Sequence, residues 1–355
     1  MTQRTAAVRT RPNMHPMNGV WSRTRFFMGA MAALASASTA GAATLPIVVI
    51  HQNIGGGQSP LAGDDKALND INAAVAAYPN LTVVTMNEVC ASQAEEFVRT
   101  HPGWSWAFAT TKHKGAACTT GSNPNIQDDR LGEMIASPYP FNGVAKYCLM
   151  PDASGNRHAD ANCDPDLDPG LPDAQGLLCA YVQAPGLPAG SQNYKVCVTH
   201  LGTSDDPTRK QQTAWIRALV QPDLAAGRVV SVSGDFNSEP NMPSLNNMYR
   251  QKLTGDYTGN GDFVDGDATD PDYFAKAPAG VTCKAANQNR PAMCRSGQNT
   301  AHTHSGVDKK IDYIFFPIER LDFAAYGRWA IDMFRRPGNT SHHNLLVGGA
   351  NLKFP

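Results

Sequence analysis

Short runs of β-branched and aliphatic residues recur along the chain, and most end in an amide, a carboxylate or a histidine. Runs at 46–51, 82–86, 132–137, 177–183, 194–200, 228–233, 310–316 and 345–348 have the length and composition of strands. Between them, apolar spacings of three and four predict helices over 66–77, 92–100, 206–220 and 242–251. No internal period and no linker divides the pattern, so residues 44–355 read as one α/β domain. Its long loops are expected at 110–129, 150–174 and 255–306. The runs 177–183 and 194–200 flank Pro- and Gly-containing sequence centred near Pro188. As a hairpin they bring Cys179 opposite Cys197.

The first 43 residues break this pattern. Arg23 and Arg25 precede an apolar run from Phe26 to Ala37, and small residues then lead to Ala40-Gly41-Ala42-Ala43. That order is the one expected of a signal peptide cleaved near Ala42 or Ala43, and the run is too short to span a bilayer. The long basic region before it suits twin-arginine export, but Thr24 separates the two arginines, which leaves the export route open. An exported protein with no stable membrane insertion is therefore expected. Its eight cysteines all follow the leader. In an oxidising compartment that implies disulfides, and the absence of any CxxC argues against a zinc site. Cys283 with Cys294, and Cys148 with Cys163, could each close a local loop.

The 355 residues are 42% hydrophobic and 17% charged, which excludes a disordered chain. The net charge of −1 hides an asymmetry, because five of the 30 basic residues lie in the leader, which holds no acid. The remaining chain is acidic. Bulk charge would not attract an anionic polymer, so a phosphate would need a metal or a local basic patch.

The chemistry gathers at strand ends: His51-Gln52-Asn53, Asn87-Glu88, Val198-Thr199-His200, Gly234-Asp235-Phe236-Asn237 and Ile311-Asp312-Tyr313, with Ser341-His342-His343 before the last apolar run. Open α/β sheets collect their sites where strands leave the core. Glu88 and nearby acids suit a hard cation such as Mg²⁺. Asp235 and Asn237 suit the orientation of a water and an oxyanion. His200 and His343 supply donors, and a buried Asp312 could fix an imidazole's tautomer and raise its pKa. Such parts serve in-line hydrolysis of a phosphate ester.

In this order the six motifs resemble the endonuclease/exonuclease/phosphatase superfamily, over nearly all of residues 45–347. The resemblance implies a DNase I-like fold, a four-layer α/β sandwich with two mixed β-sheets packed face to face and flanked by helices. It also implies that Asn53 and Glu88 hold a divalent metal, and that His200 binds phosphate or assists the leaving group. Asp235 and Asn237 would activate the water and contact phosphate, and Asp312 would orient His343.

Two positions depart from the family pattern. The usual Ser-Asp-His is here Ser341-His342-His343, which puts an imidazole, His342, on the metal side and makes Mn²⁺ or Zn²⁺ more suitable. A register with His342 as the catalytic imidazole leaves His343 without a role. The second departure is Glu133, an acid where relatives often have a neutral residue; it is either a carboxylate that orients His200 or a surface charge at a strand end. The resulting expectation is an exported, monomeric, Mg²⁺- or Mn²⁺-dependent phosphoesterase. Nucleic acid is favoured over lipid as substrate, since the long loops and the Lys112-His113-Lys114 cluster could embrace a strand. A sphingomyelinase-like or small-molecule phosphodiesterase, or an inactive binding module, are the alternatives.

Overall fold

In the computed structural model the described residues are 43–56, 66–112, 118, 131–151, 175–250, 259–276, 283, 285, 292–302, 307–322, 331–334 and 342–355. The expected leader up to residue 42, Cys163, and His113 and Lys114 of the basic cluster lie outside them. In chain order the elements are β1 (Thr44–Asn53), α1 (Lys66–Ala77), β2 (Val83–Cys90), α2 (Ala91–Thr100), β3 (Ser105–Lys112), β4 (Leu131–Ser137), β5 (Phe141–Cys148), β6 (Gly176–Val182) and β7 (Tyr194–His200). There follow α3 (Asp206–Ala225), β8 (Val229–Asp235), β9 (Phe263–Asp265), β10 (Ala301–His302), β11 (Asp308–Lys309), β12 (Asp312–Pro317), β13 (Ile331–Phe334) and β14 (Leu345–Lys353).

Two six-stranded sheets form, in the orders β13-β14-β1-β2-β4-β3 and β5-β6-β7-β8-β12-β9, with β10 and β11 as a separate ribbon. Both are mixed: β1 runs parallel to β2 and β7 to β8, while β1–β14 and β8–β12 are antiparallel. Because side chains alternate along a strand, one set from each strand faces the other sheet. Ile47 and Val49 of β1 meet Val83, Ile135, Val196, Val198, Ile314 and Phe316 between the sheets. The intervening Val48 and Ile50 pack with Ile71 and Ala74 of α1 and Phe97 of α2. On the far face of the second sheet, Val230, Val232 and Phe315 meet Ile216 and Val220 of α3. Helices, two facing sheets and a helix make the four-layer α/β sandwich expected from the sequence. Each fully buried aliphatic or aromatic side chain contributes roughly 1.5–3 kcal/mol, and a one-residue slip would turn a whole set outward, which fixes the register.

Local signals set the element ends. Asp205 caps α3 by accepting the Thr208 amide at 2.8 Å, and Pro207 sits in the first turn, where its missing N–H costs nothing. A Cβ on Gly234 would lie 2.0 Å from the Thr199 carbonyl oxygen, so only glycine lets β8 come this close to β7 just before Asp235.

Cys179 and Cys197 pair across β6 and β7, as the hairpin reading expects, and Cys283 pairs with Cys294. A further disulfide, Cys90–Cys118, joins the end of β2 to a residue beyond β3. Cys148 is also disulfide-bonded; its expected partner Cys163 is outside the described residues. One of the expected helices does not form. The described part of 242–251 is not a helix but a 3₁₀ turn at Pro243–Asn247, after which Tyr249 and Arg250 bridge to Phe263 and Gly261. The buried aromatic ring of Tyr249 packs edge-on against Phe315, and this tertiary contact outweighs the helical spacing.

Candidate active site

The alternation that builds the inter-sheet core continues, at one rim, into polar side chains. Asn53 is in phase with Ile47 and Val49, Asp235 with Val229 and Ser233, Asp312 with Ile314, and His200 with Val196 and Val198. Strand register then brings them together: Asn53 is level with Asn87, His200 with Asp235, and Asp235 with Asp312. A register irregularity between Met86 and Val89 interrupts the β2–β4 ladder and re-aims Glu88. Glu88 (φ 51°) and Asn237 (φ 47°) are the non-glycine residues with positive φ among the described residues. That conformation costs on the order of 1–3 kcal/mol each and persists where the surroundings impose it.

Asp235, only 2% exposed, is the hub. Its Oδ2 accepts the Asn53 Nδ2 hydrogen at 3.1 Å, and its Oδ1 accepts the Asn237 backbone N–H at 2.8 Å. Its own N–H donates to Asn87 Oδ1, on the opposite sheet, at 2.8 Å. Asn53 Nδ2 also reaches Glu88 Oε1 at 3.1 Å, so two carboxylates converge on one amide. Asn237 Nδ2 donates to the Leu201 carbonyl at 2.8 Å and meets His200 Nε2 at 3.0 Å. His200 lies 3.6 Å from Asp235 and 3.8 Å from Glu88.

His343 completes the group. Its Nδ1 is 2.9 Å from Asp312 Oδ2, and its Nε2 points toward Asp235 Oδ2 at 3.7 Å. Thr300 holds both partners: its Oγ1 accepts the Ile311 and Asp312 N–H groups at 3.0 and 2.9 Å, and its carbonyl accepts the Asn344 N–H at 2.7 Å. Burial lowers the His343 pKa, but the charges of Asp312 and Asp235, the Asp312 hydrogen bond and Glu88 outweigh it and push it up to about 10. At neutral pH the ring is an imidazolium. Beneath it His51 is fully buried and held neutral, its pKa lowered to about 3 chiefly by burial.

Seven expected residues, Asn53, Glu88, His200, Asp235, Asn237, Asp312 and His343, thus meet at one rim. His342 is exposed, and its carbonyl accepts the His302 N–H at 2.8 Å. It is His343, not His342, that bonds Asp312. Among the described residues, Asp235, Asp312 and His343 have ligand atoms within 4.8 Å of one another. A protonated imidazole repels a cation, however, whereas the oxygens of Glu88 and Asp235, which converge on the Asn53 amide NH₂, could hold a hard cation. Glu133 is 1% exposed, so it is no surface charge; its carboxylate accepts hydrogens from Asn87 Nδ2 and Thr111 Oγ1, and the charge of His200 acts on it. The sequence also gave no role to Asn87, His51 or Thr300; the signal available was polar residues falling in phase with the apolar core.

The fold is the DNase I-like α/β sandwich. No protein-family model matches the chain, and no curated protein is similar to it in sequence. Solved structures share the fold. An endonuclease/exonuclease/phosphatase protein of Bacteroides vulgatus has a TM-score of 0.54 at 14% identity, covering 88% of this chain and all of its own. The human Nocturnin catalytic domain with bound sulfate has 0.53 at 16%, covering 87% and 94%. A humanised D. rerio TDP2 has 0.51 at 14%, covering 86% and 99%.

Proposed function

We propose that the protein is a divalent-metal-dependent phosphoesterase that cleaves phosphodiester bonds, and that it acts as an exported, monomeric endonuclease. The observation that carries this is the convergence of Asn53, Glu88, His200, Asp235, Asn237 and the Asp312–His343 pair. Folding alone does not call for this set of buried and half-buried polar groups. Asn53 and Glu88, with Asp235 beside them, would hold the cation. All-oxygen donors suit Mg²⁺, and Mn²⁺ is accommodated by the same set. When bound, the metal supplies positive charge against the phosphoryl oxygens.

The chain's own groups supply the rest. Asp235 Oδ2 takes a proton from the attacking water while Asn237 and Asn53 fix the carboxylate in place. A P–O bond forms to the water oxygen as the bond to the leaving ester oxygen breaks. The His343 imidazolium binds a non-bridging oxygen, and His200 with His343 returns a proton to the departing oxygen. Nocturnin's bound sulfate supports the idea that this architecture holds a tetrahedral oxyanion.

Nucleic acid is favoured over lipid by the 255–306 segment. Its described aromatic residues turn inward: Phe263 is fully buried, and Tyr273 and Phe274 are half-buried. Entry into a membrane interface would need them outside. No helix of the described residues is long and apolar enough to cross a membrane. The test is to incubate the protein and Asp235→Ala with supercoiled plasmid, sphingomyelin vesicles and bis(4-nitrophenyl) phosphate, with and without EDTA. Plasmid nicking that needs both metal and Asp235 is expected. Cleavage of sphingomyelin alone would overturn the endonuclease reading, and no cleavage of any substrate would leave a binding module.

A further inference from the structure

Glu133 is a buried carboxylate that the proposed reaction does not use. It sits on β4, where Thr111 Oγ1 donates to its Oε1 at 3.4 Å and Asn87 Nδ2 donates to its Oε2. The Asn87 amide oxygen then accepts the Asp235 N–H at 2.8 Å, a bond that crosses from one sheet to the other. An amide has one donating and one accepting end. Turned over, Asn87 would set its NH₂ against the Asp235 N–H and leave both buried donors unmet. Both Glu133 oxygens accept here, one from Thr111 and one from Asn87, so Glu133 selects the productive orientation of the amide. Its burial is costly, pushing its pKa up to about 7, and a neutral residue would fold this strand more cheaply.

We propose that Glu133 is a positioning residue: through Asn87 it fixes the Asp235 backbone, and hence the Asp235 carboxylate, across the gap between the sheets. Its catalytic consequence rests on the phosphoesterase reading, while its geometry does not. Three variants, Glu133→Leu, Glu133→Gln and Asn87→Ala, and the double variant Glu133→Leu/Asn87→Ala, test it with two independent measurements. The first is the hydrogen-exchange rate of the Asp235 amide, read by NMR. The second is kcat and KM on bis(4-nitrophenyl) phosphate with Mg²⁺.

Glu133→Leu and Asn87→Ala should each speed Asp235 exchange and lower kcat about 10- to 100-fold with KM unchanged. Glu133→Gln, whose amide oxygen can still accept from Asn87, should stay within about threefold of the parent. The double variant should be no worse than Asn87→Ala alone, because the effect passes through that side chain. Wild-type exchange and kcat in a folded Glu133→Leu would overturn the proposal, as would additive losses in the double variant. If Glu133→Leu fails to fold, Asn87→Ala and Glu133→Gln decide: unchanged Asp235 exchange in Asn87→Ala, or a loss in Glu133→Gln as large as in Asn87→Ala, overturns it. Should no variant and no parent cleave any phosphodiester, the phosphoesterase reading fails while the exchange measurement still judges the positioning.

Discussion

Replacing Asp312 by Asn keeps the shape of the side chain and removes its charge. His343 is faced by Asp312 from β12, Asp235 from β8 and Glu88 from the end of β2, with neutral His51 below. Burial is the largest influence and lowers the ring's pKa; Asp312 leads the opposing group, through both its charge and the 2.9 Å hydrogen bond. Without Asp312, burial is opposed only by Asp235 and Glu88. The ring should return from about 10 to near its ordinary 6.5 or below. A fall from about 10 to 6.5 is ~5 kcal/mol, at about 1.36 kcal/mol for each tenfold change. The sign for stability follows. A raised folded-state pKa gives stabilisation that is fully present below about 6.5 and lost as pH climbs through about 10. The parent should therefore lose stability over that window relative to Asp312→Asn. The assay is an NMR titration of the His343 ring in EDTA-treated protein, paired with urea unfolding of both proteins at pH 6, 8 and 10. Activity at pH 8 should fall in the variant and partly recover toward pH 6, where the ring is again charged. A parent ring that titrates near 6.5, or a variant ring that stays near 10, would refute the charge argument.

Asp235→Ala should lower kcat on a phosphodiester by about 10²–10⁴-fold without loss of fold, checked by circular dichroism beside kinetics. Glu88→Gln and Asn53→Ala should each weaken Mn²⁺ binding at least about tenfold, measured by calorimetry; unchanged binding in both would move the cation elsewhere. Asp223→Asn should destabilise by about 3–5 kcal/mol in urea unfolding, because it strands Lys195, whose buried ammonium lies 2.7 Å from Asp223. Burial alone would raise the Asp223 pKa, but hydrogen bonds from Lys195 and Arg228 hold it below the usual range. The parent's advantage should therefore shrink as pH falls through that lowered value and be absent in the variant.

Strands β1, β7, β8 and β12 are legible in the sequence because each is an apolar run whose terminal polar residue keeps the alternation. Edge strands are not: β5 leaves Gly143 and Val144 exposed and most of its other residues half-buried, so no apolar face declares itself. The helical spacing at 242–251 loses to Pro243 and to the bridges that Tyr249 and Arg250 make with a segment more than ten residues away. Motif residues such as Asp235 and His343 were readable one by one, since their chemistry is local to a strand end. Thr300 was not, because a lone threonine in a loop says nothing until it caps Asp312.

Glu133 shows where sequence reasoning stops for a physical cause. Its partner is Asn87, 46 positions away and on the neighbouring strand, and the partner's partner is the Asp235 N–H on the other sheet. Antiparallel register and sheet-to-sheet stacking decide such a chain, and neither is written in local composition. What the sequence does offer is phase. His51, Thr85, Asn87, Glu133 and Ser233 all fall on inward positions, in phase with Val49, Val83, Ile135 and Val229 of the inter-sheet core. An apolar side chain at any of these would serve packing better than a polar one that must find a partner. Polar residues in the buried phase near a strand's end therefore mark how far the site extends into the sandwich, and by that criterion it reaches past the rim to His51 and Glu133.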